Sequence, residues 1–322
     1  MIASVGFPLL TYTLSLALFG LAHVMSEMRF VRARFGQRLQ RWLLAALTLL
    51  LTGVVGLRIG KLSGMIEGAL ATNLELALVV ALSLCALPVI WRVSRAGFAA
   101  SALLVVGLVV GLLVTPIHTL LLLAVLHNLT PMGFLVEVAP SRSRGAVMAL
   151  SVAVFVMIPL FIASGVPAVW LMKLGVYAPD FTPLPTGPLY DHFSAYLPRQ
   201  WHGLASAQHA FSAVVFAQVM HYAAVIHVLP RCLARANEPG AASMASEDEK
   251  APGSDAESLG SRDALFLFAV VGASAVLFVG FCFDFKIARS VYGVAAAVHA
   301  WIEVPILMIA LSALVSSSSE SR

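Results

Sequence analysis

Nine stretches of this chain are apolar over roughly the 20 residues that an α-helix needs to cross a hydrocarbon core. They lie at about 6–25, 42–59, 69–91, 97–115, 118–137, 147–172, 204–229, 264–283 and 290–314. Few features constrain a fold more tightly, because inside lipid every backbone N–H and C=O must be satisfied within the spanning structure. The chain is therefore read as all-α, a polytopic transmembrane helical bundle of about nine spans forming one integral membrane domain. Composition agrees, with 60% of the 322 residues hydrophobic and only 11% charged, against roughly 25% charged in a soluble domain. Pro116 leaves almost no connection between the fourth and fifth runs, which predicts a tight hairpin at that point.

Orientation follows from the basic residues. Arg29, Arg32, Arg34, Arg38, Arg41, Arg92, Arg95, Arg142, Arg144, Arg231, Arg235, Lys250, Arg262 and Arg322 all fall on one side of this topology, fourteen of the 20 Lys and Arg. The positive-inside rule then predicts the N-terminus outside and the C-terminus in the cytoplasm, and the expected location is the bacterial inner membrane. Because the basic residues sit between apolar runs, the net charge of +4 is a topology signal and predicts no nucleic-acid partner. Cys85, Cys232 and Cys282 are far apart and form no C-x-x-C pair, which excludes a thiolate metal site or a disulfide framework. The start "MIASVGFPLL" has no basic n-region and no A-x-A site, so the first run is expected to be a retained signal anchor.

Three parts are expected. Helices 1–7 occupy 1–235 and include a proline- and aromatic-rich outer cap loop at 173–203. A small-residue, charged, aperiodic stretch at 236–263 reads as a disordered cytoplasmic linker, and helices 8–9 with a short tail occupy 264–322.

The functional signal is a set of polar groups inside the apolar runs. At about 1.5 Å per residue, His23, Glu27, His127, His221, His299 and Glu303 all fall between the midplane and the inner boundary, on four different helices. Ionisable residues at that depth are costly and normally face the bundle interior, which makes them functional-site candidates. Imidazole with carboxylate suits a first-row metal, here iron with zinc or copper as alternatives. His127, His221 and His299 are the expected ligands, with His23 as a fourth. Glu303 and Glu27 are the candidate catalytic groups. Glu303 is expected to orient His299, to move protons, or to join His299 as a direct ligand four residues away. Asn128, Gln218, His209 and His118 are candidates for hydrogen-bonding the outer ring nitrogens of the ligands.

Ordinary explanations stand beside these. His118 and His209 lie near the outer rim, where a lone histidine often only links helices. His227 reads as interfacial, and His192 and His202 belong to the cap. Glu27 can pair with Arg29 or Arg34 at the headgroup level instead of binding metal. Asn128 begins an N-L-T sequon but lies too deep to be glycosylated.

"LFGLAH" in the first span, with imidazoles embedded in several later spans, resembles the Brp/Blh-type membrane β-carotene dioxygenases, which hold non-haem iron by histidines from several transmembrane helices. Ala22 and Val24 depart from that motif, standing where proline and glycine would be. The resemblance implies His23 as an iron ligand. The H-x-x-H-H boxes of membrane desaturases are absent. The expected function is thus a membrane metalloenzyme, an oxygenase or oxidase acting on a lipophilic partner such as a carotenoid, isoprenoid, quinone or fatty-acyl chain. A proton- or cation-coupled transporter using the same His/Glu relay and a b-type haem protein are the alternatives.

Overall fold

The computed structural model describes residues 1–36, 39–236 and 255–320. In chain order the helices are α1 (Ile2–Gly6), α2 (Pro8–Phe35), α3 (Arg41–Leu62), α4 (Gly68–Val93), α5 (Arg95–Val114), α6 (Pro116–His127) and α7 (Thr130–Val138). Next comes α8 (Arg144–Val152), which passes through a π-helical turn at Ala153–Met157 into α9 (Ile158–Ala163). They are followed by α10 (Val166–Lys173), α11 (Ala205–Ala223), α12 (Leu229–Ala236), α13 (Asp255–Phe283) and α14 (Phe285–Glu320).

Local chemistry sets the helix starts. Pro8, Pro116, Pro131 and Pro167 each occupy a first-turn position, where a missing N–H costs nothing. Ser94 caps α5, its hydroxyl accepting the Gly97 N–H at 3.1 Å. Thr115 breaks the chain between α5 and α6, which fold back on each other as the expected hairpin.

Among the described residues eight helical segments are long and apolar enough to cross a membrane, and nine when α6 and α7, bent by 41°, are taken as one broken span. This is the build of an integral membrane protein. Side chains such as Leu49, Leu103, Phe268 and Val276 point outward and are more than two-thirds exposed, which suits lipid and not water.

Two expectations on boundaries change. The fifth run is not one helix, since α6 ends at His127 and α7 restarts at Thr130. The expected linker at 236–263 lies mostly outside the described residues, at 237–254, but its ends are helical: α12 reaches Ala236 and α13 begins at Asp255.

The centre of the bundle is α14, which packs against α2, α3, α4, α5, α7 and α13. Pro305 lies inside it without ending it, so the helix loses only the bond to the Trp301 carbonyl one turn back. Residues 174–204 fold over the start of α2 and α14. Asp180 accepts the Leu189 N–H at 2.8 Å, Thr13 and Thr182 share a hydroxyl contact at 3.0 Å, and Tyr12 packs against His192, Tyr196, Phe211 and Phe285. This end of the bundle is called the cap end below. At the opposite end Arg34 forks onto Glu137, its Nε and NH2 reaching the carboxylate at 2.8–3.2 Å, and ties α2 to α7.

Candidate metal centre

Four helices each send one histidine to a common point. His23 comes from α2, His127 from the last residue of α6, His221 from α11 and His299 from α14. His23 Nε2 and His127 Nε2 both lie 3.1 Å from His299 Nε2. The His221 ring centre lies 4.6 Å from that of His127 and 5.3 Å from that of His23. One ligand atom from each of the four falls within 4.8 Å of the others, and Glu27, His221, His299 and Glu303 form a second, overlapping set within the same distance.

The outer ring nitrogens fix which atoms face inward. His23 Nδ1 lies 3.3 Å from the Phe19 carbonyl, a pure acceptor, so the proton sits on Nδ1 and the Nε2 lone pair points to the centre. His127 Nδ1 lies 2.7 Å from Glu303 Oε2, so the carboxylate faces the outer nitrogen of that ring. The bare His23 lone pair thus meets two further ring nitrogens at successive spacings of 3.1 Å. Without a cation they repel; around a metal held at about 2.0–2.1 Å, neighbouring imidazole nitrogens sit about 3.0–3.4 Å apart, which is the spacing found.

The carboxylates make the same point by charge. Glu27 and Glu303 are both fully buried. Glu27 Oε2 is 3.4 Å from His221 Nε2, and all four carboxylate oxygens of the pair lack a well-formed hydrogen bond. Buried acceptors normally find donors, and buried charge normally finds countercharge. A divalent cation among the four imidazoles balances two carboxylates and leaves the cluster neutral. A buried His/Glu group able to hold a transition metal is thus a property of this fold.

The break between α6 and α7 positions His127. Asn128 Nδ2 reaches back to the Ala124 and Val125 carbonyls at 3.1 and 3.3 Å, and Thr130 Oγ1 donates to the His127 carbonyl at 2.8 Å. These bonds cover the Ala124 and His127 carbonyls, which the interrupted helix would leave bare in lipid, while the Val125 carbonyl also accepts the Asn128 N–H at 3.1 Å. On α11, His221 is followed by a π-helical turn at Ala224–Val228, a feature common at functional sites. Tyr222 stacks on His23 with ring centres 4.0 Å apart and 22° between planes, and shares a 3.4 Å hydroxyl contact with Tyr292. Gly20 makes room for that pair, because a Cβ there would stand 3.1 Å from the Tyr292 ring.

The candidate residues divide cleanly. His23, His127, His221, His299, Glu27 and Glu303 come together. Glu303 pairs with His127 and not with His299 as expected from sequence. Glu27 faces His221 and not the arginine-rich turn, where Arg34 is held by Glu137 instead. Asn128 serves the backbone, and Gln218 accepts from the Tyr196 hydroxyl while reaching Ser15 at 3.4 Å, so neither holds a ligand histidine. His118 bonds to Gln200 of the cap, and the His209 ring lies over Gly165, whose φ of +78° and open α-carbon admit it. Both lie outside the cluster.

Sequence reasoning passes over Tyr222, Tyr292, and the trio of Arg58, Glu75 and Trp301. Glu75 is buried, pairs with Arg58 at 2.5 Å and accepts the Trp301 Nε1–H at 2.7 Å. Arg58 and Glu75 stand inside the second and third apolar runs, where the cost of intramembrane charge is the signal that points to them.

Two cavities reach the histidines. One of about 350 Å³ is apolar and runs from His127 away from the cap to Gly97 and Ser312. The other, about 620 Å³, runs toward the cap end and is lined by His23, His127 and His299 together with Arg58, Lys61, Arg289 and several tyrosines. In the cap itself His192 packs under Tyr12 and Phe285, and burial, reinforced by Arg289, holds its imidazole down at about 4. Comparison of the chain with protein-family models, with curated proteins and with solved structures gives no match in any of the three.

Proposed function

We propose that this chain is a membrane-embedded, non-haem metalloenzyme, an iron oxygenase or oxidase acting on a lipophilic substrate, with the cap facing outward from a bacterial inner membrane. The observation that carries the metal reading is the convergence of three Nε2 atoms, two of them 3.1 Å from the third, with the His23 tautomer set by the Phe19 carbonyl and Glu303 lying 2.7 Å from His127 Nδ1. The likeness of "LFGLAH" to the Brp/Blh-type β-carotene dioxygenases supports iron and oxygen, because His23, the residue it implicates, is part of the cluster. Bound iron would supply one-electron redox chemistry with dioxygen as co-substrate.

The chain's own residues do the rest. His23, His127, His221 and His299 hold the metal. Glu303, whose Oε2 lies 2.7 Å from His127 Nδ1, orients that ring and places a carboxylate behind it. Glu27, beside His221, is placed to accept or return a proton at the edge of the site. The apolar cavity brings a hydrocarbon chain to His127 and excludes bulk water, limiting hydrolysis of reactive species.

Neither alternative gains from the geometry. A charge relay across the bilayer meets a packed apolar layer one turn beyond the carboxylates, made by Phe30, Phe35, Phe134 and Ile306. Nitrogens 3.1 Å apart leave no slot for a macrocycle between two axial imidazoles. The deciding experiment is metal analysis of the purified protein with an optical spectrum of the same sample. About one transition metal per chain, no Soret band, and loss of the metal in His299→Ala that still inserts are expected. A Soret band, or metal-free protein that is folded and fully active, overturns the reading.

A further inference from the structure

The two cavities meet at the same residues. His127, Ala300 and Trp301 line both, so the metal centre sits at a junction between a hydrocarbon slot and a polar chamber. The slot is walled by Leu104, Leu108, Leu123, Val304 and Met308. The chamber carries Arg58, Lys61 and Arg289 against a single acidic residue, Glu75, which leaves an excess of positive charge. Glu75 takes only part of what Arg58 offers. Among the described residues Arg58 Nε is buried with no hydrogen-bond partner, and Arg289 is held by the Tyr12 hydroxyl at 3.3 Å. Donors set around a chamber that adjoins a hydrocarbon slot at His127, Ala300 and Trp301 match one kind of molecule.

We infer that the substrate is an amphiphile with an anionic head, a carboxylate or a phosphate, whose head lies among Arg58, Lys61 and Arg289 and whose apolar tail lies in the slot between α5 and α14. This deepens the proposed function and rests on it for catalytic meaning, although binding alone does not require the metal. Along α14 at about 1.5 Å per residue, Arg289 lies ~15 Å on the cap side of His299 and Ser312 ~20 Å on the other. A long chain anchored by its head therefore presents an internal position to the histidines and not its end. Arg58 is held ready to receive the head, because Trp301 fixes Glu75 and Glu75 fixes the guanidinium.

The test uses the full chain in nanodiscs, with displacement of dansyl-undecanoate as the readout and empty nanodiscs as the partition control. Hexadecanoate, hexadecyl phosphate and hexadecanol are compared. Charge-assisted hydrogen bonds predict that at least one anion displaces the probe about tenfold better than the alcohol, and which anion does so identifies the head. Arg289→Gln should erode that advantage and leave hexadecanol unchanged. The double change Arg58→Gln with Glu75→Gln should do the same without stranding a buried carboxylate. Ala100→Phe, which fills the slot, should weaken all three ligands. Equal competition by acid and alcohol, or equal loss of all three in the arginine variants, overturns the inference. The measurement is repeated on His127→Ala protein: an anion preference that survives loss of metal keeps this inference apart from the metal reading, which fails or stands by metal content alone.

Discussion

Glu303 acts on His127 much as a hand on a tiller, holding the ring so that its other nitrogen faces the metal position. Replacing it with glutamine keeps an acceptor for Nδ1–H but removes a charge, so metal affinity is expected to fall by about 10–100-fold, with Glu303→Ala worse than Glu303→Gln. Equilibrium dialysis measures this, and an unchanged affinity in Glu303→Ala would mean that His127 is oriented by something else. The opposite expectation holds for His118 and His209, which the sequence offers as hydrogen-bond partners of the ligand histidines and the fold keeps away from them. His118→Ala and His209→Ala should retain full metal content. His192 makes a pH prediction. Its folded value, about 4, lies below the ordinary 6.5, so the unfolded cap binds the proton more readily. The cap's stability is then complete above about 6.5 and is lost as the pH falls through about 4. Protection factors of amides in 186–196, with the intrinsic exchange rate at each pH divided out, should fall over that window, and His192→Gln should flatten the profile. Protection factors in wild type that stay constant from neutrality to pH 4 would sink this account.

At the scale of elements, the broken span α6–α7 matters most. Breaking a helix in lipid leaves carbonyls bare, and Asn128 and Thr130 cover them. Asn128→Leu should therefore destabilise the break and displace His127, lowering metal content while the rest of the bundle stays inserted; circular dichroism with metal analysis separates the two. Retained metal at wild-type affinity would show that the break is held elsewhere. The sequence contains this feature in "HNLTP", where Pro131 cannot continue a helix from Asn128. Hydropathy over 118–137 nevertheless reads as one uninterrupted span, since it measures partition into lipid and is blind to hydrogen-bond direction. The long spans are legible for the same reason: their apolar length is set by the bilayer and needs no tertiary partner. Which nitrogen of which histidine meets which carboxylate is not, since helix rotation about its axis comes from packing. The choice of Glu303 for His127 over its own neighbour His299 depends on how α6 ends against α14.

For the whole molecule, the cluster of four histidines and two carboxylates lies between apolar layers at both ends, Tyr12, Phe211 and Phe285 toward the cap and Phe30, Phe134 and Ile306 beyond the carboxylates. Depth along four runs is enough to bring the six groups to one level from sequence, because intramembrane charge is too costly to scatter. That same cost couples folding to the metal. Two buried carboxylates without countercharge oppose each other in a medium of low dielectric, so stripping the metal should lower thermal stability, and adding it back at about 100 times its Kd should restore about 2.7 kcal/mol. Glu27→Gln with Glu303→Gln removes the repulsion along with the countercharge. The double variant should therefore be more stable than wild type when both are stripped, and less stable when both are loaded, a crossing that simple loss of packing does not produce. Thermal unfolding in detergent, followed with and without chelator, reads all four states. Parallel shifts with no crossing would mean that the carboxylates are neutral in the stripped protein and that charge balance is not what draws a cation to this cluster.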